Sequence, residues 1–159
     1  MMNQGHEQDR RIVVGVDSSH GSKVALRWAL NQARLTGASV EVVTAWQHPA
    51  MYGYSYGAMA VPSADDGMAA MAEKALAETV ADVVGTQDKP VDVRTTVDEG
   101  PAAHVLLTAA AGAELLVVGS RGHGGFAGML LGSVSQHCAH HAPCPVIVIP
   151  DDAKSSTRP

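Results

Sequence analysis

The chain has 159 residues, one domain's worth, of which 46% are hydrophobic and 17% charged, which is a globular and not a disordered composition. A net charge of −5 argues against broad binding to nucleic acid or anionic membrane, and no apolar run approaches the roughly 18 residues of a membrane span. Aromatic residues are only 4%, so the core must be built from Ala, Val, Leu, Ile and Met.

The first ten residues are polar and carry no periodicity or signal-peptide apolar stretch, so they read as a disordered tail on a cytoplasmic protein. Residues 11–17 contain Ile12, Val13, Val14 and Val16, a β-branched run expected to be a strand buried on both faces. Ser18, Ser19, His20 and Gly21 offer helix-capping chemistry. The helix that follows, over 22–36, sets Ala25, Trp28, Ala29 and Ala33 on one face beside Leu26 and Leu30, and Gly37 stops it. Residues 39–46 form the second strand, with Val40, Val42 and Val43.

About twenty residues without a clear period follow, 47–66, with Tyr52, Tyr54 and Tyr56 among glycines; they read as a surface loop or as a lid over a ligand. A helix over 67–85 carries Met68, Met71, Ala72, Ala75, Leu76, Val80 and Val83 as its apolar face. Alternation over 91–97 predicts a third strand, and Pro101 suits the first position of a helix carrying Val105, Leu106, Ala109 and Ala110. Residues 115–118 make a fourth strand ending at Gly119, 133–141 a short helix with Val134 and Cys138 on one face, and Val146–Ile149 the last strand. The polar stretch 151–159 reads as a second disordered tail.

Five strands interleaved with four helices imply a single α/β domain over 11–150, a doubly wound parallel sheet with helices on both faces. Ligands of such sheets bind beyond the carboxyl ends of the strands, where the winding reverses. Two strand ends carry useful chemistry. Asp17 follows the first strand, as a ligand carboxylate or as a cap on the next helix. Gly119 opens a segment with Gly122, Gly124, Gly125, Gly128 and Gly132 that leads into the helix at Ser133. Glycines let backbone approach a ligand, and a helix N-terminus presents unpaired N–H groups with partial positive charge, which together suit a phosphate. The hydroxyls of Ser133 and Ser135 add donors, and Arg121 and His123 offer charge to phosphate oxygens.

The spacing Gly119-x2-Gly122-x9-Gly132-Ser133 resembles the G-x2-G-x9-G-[S/T] motif of ATP-binding universal stress proteins. VVGVDSS at 13–19, VDEGPA at 97–102, LLVVGSRG at 115–122 and HAPCPVIVIP at 141–150 resemble that family in matching order, so the likeness covers about residues 11–150. It implies the adenine nucleotide α-hydrolase-like fold with strand order 3-2-1-4-5, which places Asp17 and Gly119 on either side of the switch point. It also implies ATP, with Mg²⁺, as the ligand. Val16 and Asp17 then lie against adenine and ribose, Ala45 against adenine, and Gly119 and Gly122 beside ribose and phosphates. Gly132, Ser133, Val134 and Ser135 hold the phosphates. The family's dimers imply a homodimer through Val146–Ile149, an apolar strand expected at a sheet edge.

No lysine stands where a Walker loop needs one, and no nucleophile–base pair can be assigned, so no catalytic residue is expected. The expected function is a nucleotide-dependent regulatory switch in stress adaptation, with a slow Mg²⁺-dependent ATP hydrolase or phosphotransfer enzyme, or an AMP or cyclic AMP binder, as alternatives. His137, Cys138, His140, His141 and Cys144 lack zinc spacing and are not expected to hold a structural metal.

Overall fold

The computed structural model describes residues 10–47, 64–85, 90–122 and 131–150. Of the expected tails and tyrosine-bearing loop, residues 1–9, 48–63 and 151–159 lie outside the described residues, as do His123, Gly124, Gly125 and Gly128. Nine elements follow in chain order: β1 Arg11–Gly15, α1 His20–Thr36, β2 Ser39–Trp46, α2 Ala64–Val84, β3 Val93–Glu99, α3 Ala102–Ala109, β4 Leu115–Gly119, α4 Ser133–His141 and β5 Val146–Ile149.

The strands make one parallel sheet of order β3-β2-β1-β4-β5, the expected doubly wound arrangement. Side chains alternate across each strand and so divide the core in two. Ile12 and Val14 of β1, Val40 and Val42 of β2 and Val117 of β4 face α1 and α2, where they pack with Ala25, Leu26, Ala29, Leu30, Leu76 and Val83. Val13, Val43, Leu116 and Val118 face the other way, against Val105, Leu106, Ala110 and Cys138 of the α3 and α4 side. Both layers are mainly aliphatic, which is why short apolar runs were enough to mark the central strands.

Several boundaries differ from expectation. β1 stops at Gly15, not Asp17, because its ladder with β4 ends at Val14 opposite Val117, where the two strands part; Val16 N still donates to Val43 O at 2.9 Å. α1 starts at His20 because Ser19 caps it, its hydroxyl accepting from Ser22 N at 3.2 Å. α2 starts three residues before Gly67. β3 runs two residues later than the 91–97 alternation, since it follows β2 from Val40–Val93 to Trp46–Glu99. At a sheet edge the charged Asp98 and Glu99 remain exposed, so loss of alternation does not end the strand. Pro101 occupies the N-cap of α3 rather than its first helical position. On α2, Met71 is 73% exposed, outside the core face assigned to it, whereas Thr79 is buried because its hydroxyl donates to Ala75 O at 2.9 Å.

The amino end of the sheet is closed by Arg11. Its guanidinium pairs with Glu41 and also donates to Ala109 O at 2.9 Å and Ala111 O at 2.8 Å, carbonyls at the end of α3. Glu41 in turn accepts from Thr96 Oγ1 at 3.0 Å, so one half-buried network ties β1, β2, β3 and α3 together. Among the described residues, the opposite, carboxyl end of the sheet carries a cavity.

Candidate functional site

β1 and β4 lie side by side, and their chains leave to opposite faces, β1 into α1 and β4 toward α4. That divergence opens a cavity of about 280 Å³. All ten residues singled out from the sequence line it: Val16, Asp17, Ala45, Gly119, Arg121, Gly122, Gly132, Ser133, Val134 and Ser135.

On the β1 side the turn is built by serines. Ser18 adopts a left-handed φ of 66°, which reverses the chain between Asp17 and the helix. Asp17 Oδ1 accepts from Ser19 N at 3.0 Å, and Asp17 N donates to Ser22 Oγ at 3.3 Å. Ser19, not Asp17, therefore caps α1, and the carboxylate is held by a local turn with its other oxygen toward Gly122. Thr44 Oγ1 donates to Val16 O at 2.7 Å and fixes the floor beside it.

On the β4 side one carbonyl gathers the segment. Ser120 O accepts from Gly132 N at 2.7 Å and from Ser135 Oγ at 2.9 Å. The Ser135 hydroxyl also lies 3.0 Å from Gly132 O and is buried, so it faces backbone rather than a ligand, a correction to its expected part as a donor. What α4 presents instead is amides. Its first intrahelical bond runs from Gln136 N to Gly132 O, and Gly132 supplies no side-chain cap. The N–H groups of Ser133, Val134 and Ser135 therefore precede the ladder at the positive end of the helix. The Ser133 hydroxyl is exposed.

The glycines differ in what they permit. A Cβ on Gly122 would lie 2.5 Å from Asp17 Oδ2, and one on Gly119 would lie 3.2 Å from the backbone of Gly21. A side chain at 119 would press on the backbone of Gly21, and one at 122 would displace the Asp17 carboxylate.

Seven further residues line the cavity, namely Gly15, Ser19, Ser22, Val43, Ala102, Leu106 and Val118. Val43 was within reach of sequence reasoning, because it lies two residues before Ala45 on the same strand face. Ala102 and Leu106 were not, since only the packing of α3 over β2 brings its first turn to the cleft.

The histidine and cysteine stretch does not reach the cavity. Cys138 is fully buried, and burial pushes its thiol up to about 11. Burial also raises the Cys144 thiol, opposed by the Arg11 guanidinium and a backbone hydrogen bond at Leu116. Among the described residues no group of three or more His, Cys, Asp or Glu side chains is placed to hold a metal ion. No helix among them is long and apolar enough to cross a membrane.

Fold and cleft together define a doubly wound α/β protein of the adenine nucleotide α-hydrolase-like class, with its cavity at the topological switch point. The model of the universal stress protein family matches residues 9–150, and the chain belongs to that family. Universal stress protein Rv2624c of Mycobacterium tuberculosis is 32% identical over 151 residues, 94% of this chain and 51% of that protein. The chain spans about half the length of the curated relatives it matches.

Among solved structures, universal stress protein UspA from Lactobacillus plantarum superposes with a TM-score of 0.69 at 26% identity, covering 89% of this chain and 97% of that one. A universal stress protein in complex with cAMP gives a TM-score of 0.56 at 24% identity over 88% and 95% of the two chains. The Archaeoglobus fulgidus protein in complex with dAMP gives 0.56 at 23% over 88% and 97%.

Proposed function

We propose that the cavity binds an adenine nucleotide, ATP with Mg²⁺, and that the protein is a nucleotide-dependent regulatory switch in stress adaptation, at work in the cytoplasm. One observation carries the reading: the uncapped first turn of α4 and the Asp17 carboxylate line the same cleft at the switch point. Main-chain amides of Ser133, Val134 and Ser135, following Gly132, suit phosphate oxygens, with Gly119 and Gly122 letting the two strand exits close on the cleft. Arg121 adds positive charge. Val16 and Ala45 supply apolar surface for the base. Mg²⁺ bound with a nucleotide takes one or two carboxylates plus phosphate oxygens. Asp17 fits that demand, being the one acidic residue among the described residues lining the cavity.

Binding without rapid turnover is the version we favour, because residues 119–135 contain no lysine to reach the terminal phosphates. A monophosphate, AMP or cyclic AMP, is the second reading; two proteins of this fold hold cAMP and dAMP. The functional unit is the domain over 11–150, paired as a homodimer through Val146–Ile149, an apolar edge strand whose first three residues are only half-buried in one chain.

Titration calorimetry with ATP, AMP and cyclic AMP, together with mass spectrometry of whatever ligand copurifies, tests the proposal. Stoichiometric binding of one adenylate, weakened in Asp17→Ala, is expected. Absence of heat from all three at millimolar concentration overturns it. Recovery of intact ATP after hours separates the switch from the slow hydrolase.

A further inference from the structure

The last two turns of α4 carry three exposed histidines, His137, His140 and His141, that the nucleotide cleft does not use. Their mutual geometry is uneven. The rings of His137 and His141, one helical turn apart, have centroids 4.6 Å from each other and are tilted by 44°. His140 and His141 lie 6.3 Å apart.

These separations can be compared with what a metal ion requires. An imidazole nitrogen binds a first-row dication at about 2.1 Å, which puts the ion about 3.2 Å from the ring centre. With one nitrogen of each ring turned to a shared ion, two centroids 4.6 Å apart subtend about 90° there, the angle between neighbouring ligands of an octahedral or square-planar centre. A tetrahedral angle would need about 5.2 Å by the same construction. At 6.3 Å two rings would stand nearly opposite each other on the ion, about 160° apart by that construction, which adjacent residues of one helix do not reach.

We propose that His137 and His141 form an open, exchangeable binding site for a transition-metal dication of the Ni²⁺ or Cu²⁺ type. Imidazole is a ligand of choice for these ions, and both prefer the right-angled arrangement. The pair sits at the carboxyl end of α4, whose partial negative charge favours a bound cation. Two protein ligands leave the other positions to water, which distinguishes this site from the closed structural centre that the sequence argues against. The buried Cys138 does not take part, since its side chain faces the core.

The test uses the full-length chain without an affinity tag, titrated with NiCl₂ at pH 7.5 by calorimetry. One tight Ni²⁺ per chain is expected above any background from the other histidines. Because the second imidazole binds intramolecularly, loss of either partner in His137→Ala or His141→Ala should weaken that site by at least about tenfold, while His140→Ala leaves it unchanged. Nitrogen NMR of the imidazoles reads the same event without substitution, with the paramagnetic ion broadening His137 and His141 first. Unchanged Ni²⁺ affinity in the His137→Ala/His141→Ala double variant overturns the proposal, as does an equal loss in His140→Ala or no binding at 1 mM Ni²⁺, a concentration of about ordinary weak-ligand strength.

Discussion

Gly122 and Gly132 are equivalent in the sequence motif and unlike in the structure, and the difference makes the proposed site testable. An alanine Cβ at 122 would lie 2.5 Å from Asp17 Oδ2. The carboxylate must therefore withdraw by at least about half an ångström to reach a tolerable contact. It cannot do so quietly, because its other oxygen is held by Ser19 N at 3.0 Å. The contact proposed between Asp17 and ligand or Mg²⁺ is then lost or bent. A charge-assisted hydrogen bond is worth about 1.5–3 kcal/mol, so Gly122→Ala should weaken ATP binding by roughly ten- to a hundredfold.

Folding should hardly notice, since Gly122 is exposed and is not among the glycines with positive φ. At 132 the backbone is extended, with φ −73° and ψ 172°, and a Cβ would meet nothing nearer than 3.5 Å. Gly132→Ala should bind within about threefold of the parent, a change of about 0.6 kcal/mol. Calorimetry on both variants, with urea denaturation as the control for stability, decides the matter. If Gly122→Ala binds like the parent, or Gly132→Ala loses more than Gly122→Ala, the assignment of Asp17 to the ligand is wrong.

Ser135→Ala removes a buried hydroxyl but leaves Ser120 O bonded to Gly132 N, so urea denaturation should show a loss of about 1–2 kcal/mol. Arg11→Met leaves the half-buried Glu41 with Thr96 alone and frees the carbonyls at the end of α3; a loss of about 2–3 kcal/mol is expected, partly recovered in Arg11→Met/Glu41→Leu, and no recovery would refute the ion-pair account. Burial pushes the Cys138 thiol from 9.0 to about 11, so the unfolded chain releases a proton that the native chain keeps. Stability should fall as pH rises through that window, and the fall should be shallower in Cys138→Ala, read from urea midpoints. Val148→Lys places a charge on the half-buried edge strand β5 and should yield monomer or insoluble protein; an unchanged dimer on size-exclusion chromatography would place the interface elsewhere.

The central strands were legible because they are buried on both faces, which demands uninterrupted Val and Ile. Edge strand β3 carries Arg94, Asp98 and Glu99 in contact with water, so its pattern says little about where pairing stops. The apolar face of α2 could be counted, yet Met71 and Thr79 exchanged places with expectation. A methionine on a helix flank is tolerated in solvent, and a threonine that bonds its own helix backbone can be buried at little cost. The glycines and serines that line the cavity were legible as a spacing next to strand ends, whereas Ala45 and Val134 came from the family resemblance. The destination of the Ser135 hydroxyl was not, because the carbonyl it meets belongs to Ser120, fifteen positions earlier. Nor was the α3 contribution, which exists only once the crossover is folded over β2.

Gly21 and Gly119 bring the two halves of the cleft close together, backbone to backbone. A Cβ on Gly119 would lie 3.2 Å from Gly21 C and O, and one on Gly21 would lie 3.1 Å from Arg121 O. The first turn of α1 and the chain leaving β4 thus touch backbone to backbone, with no side chain between them to yield. Asp17 is tied to the first of these segments, its carboxylate through Ser19 N and its main-chain N–H through Ser22 Oγ, and the amides of α4 to the second through Ser120 O. A ligand that pulls on the α4 amides therefore loads the β1–α1 turn as well, because rigid packed backbone transmits displacement that flexible side chains would absorb. On the proposed switch reading, a response to nucleotide begins as a joint movement of both exits, carried by Gly21, Gly119, Ser120 and Arg121 as well as by the phosphate contacts.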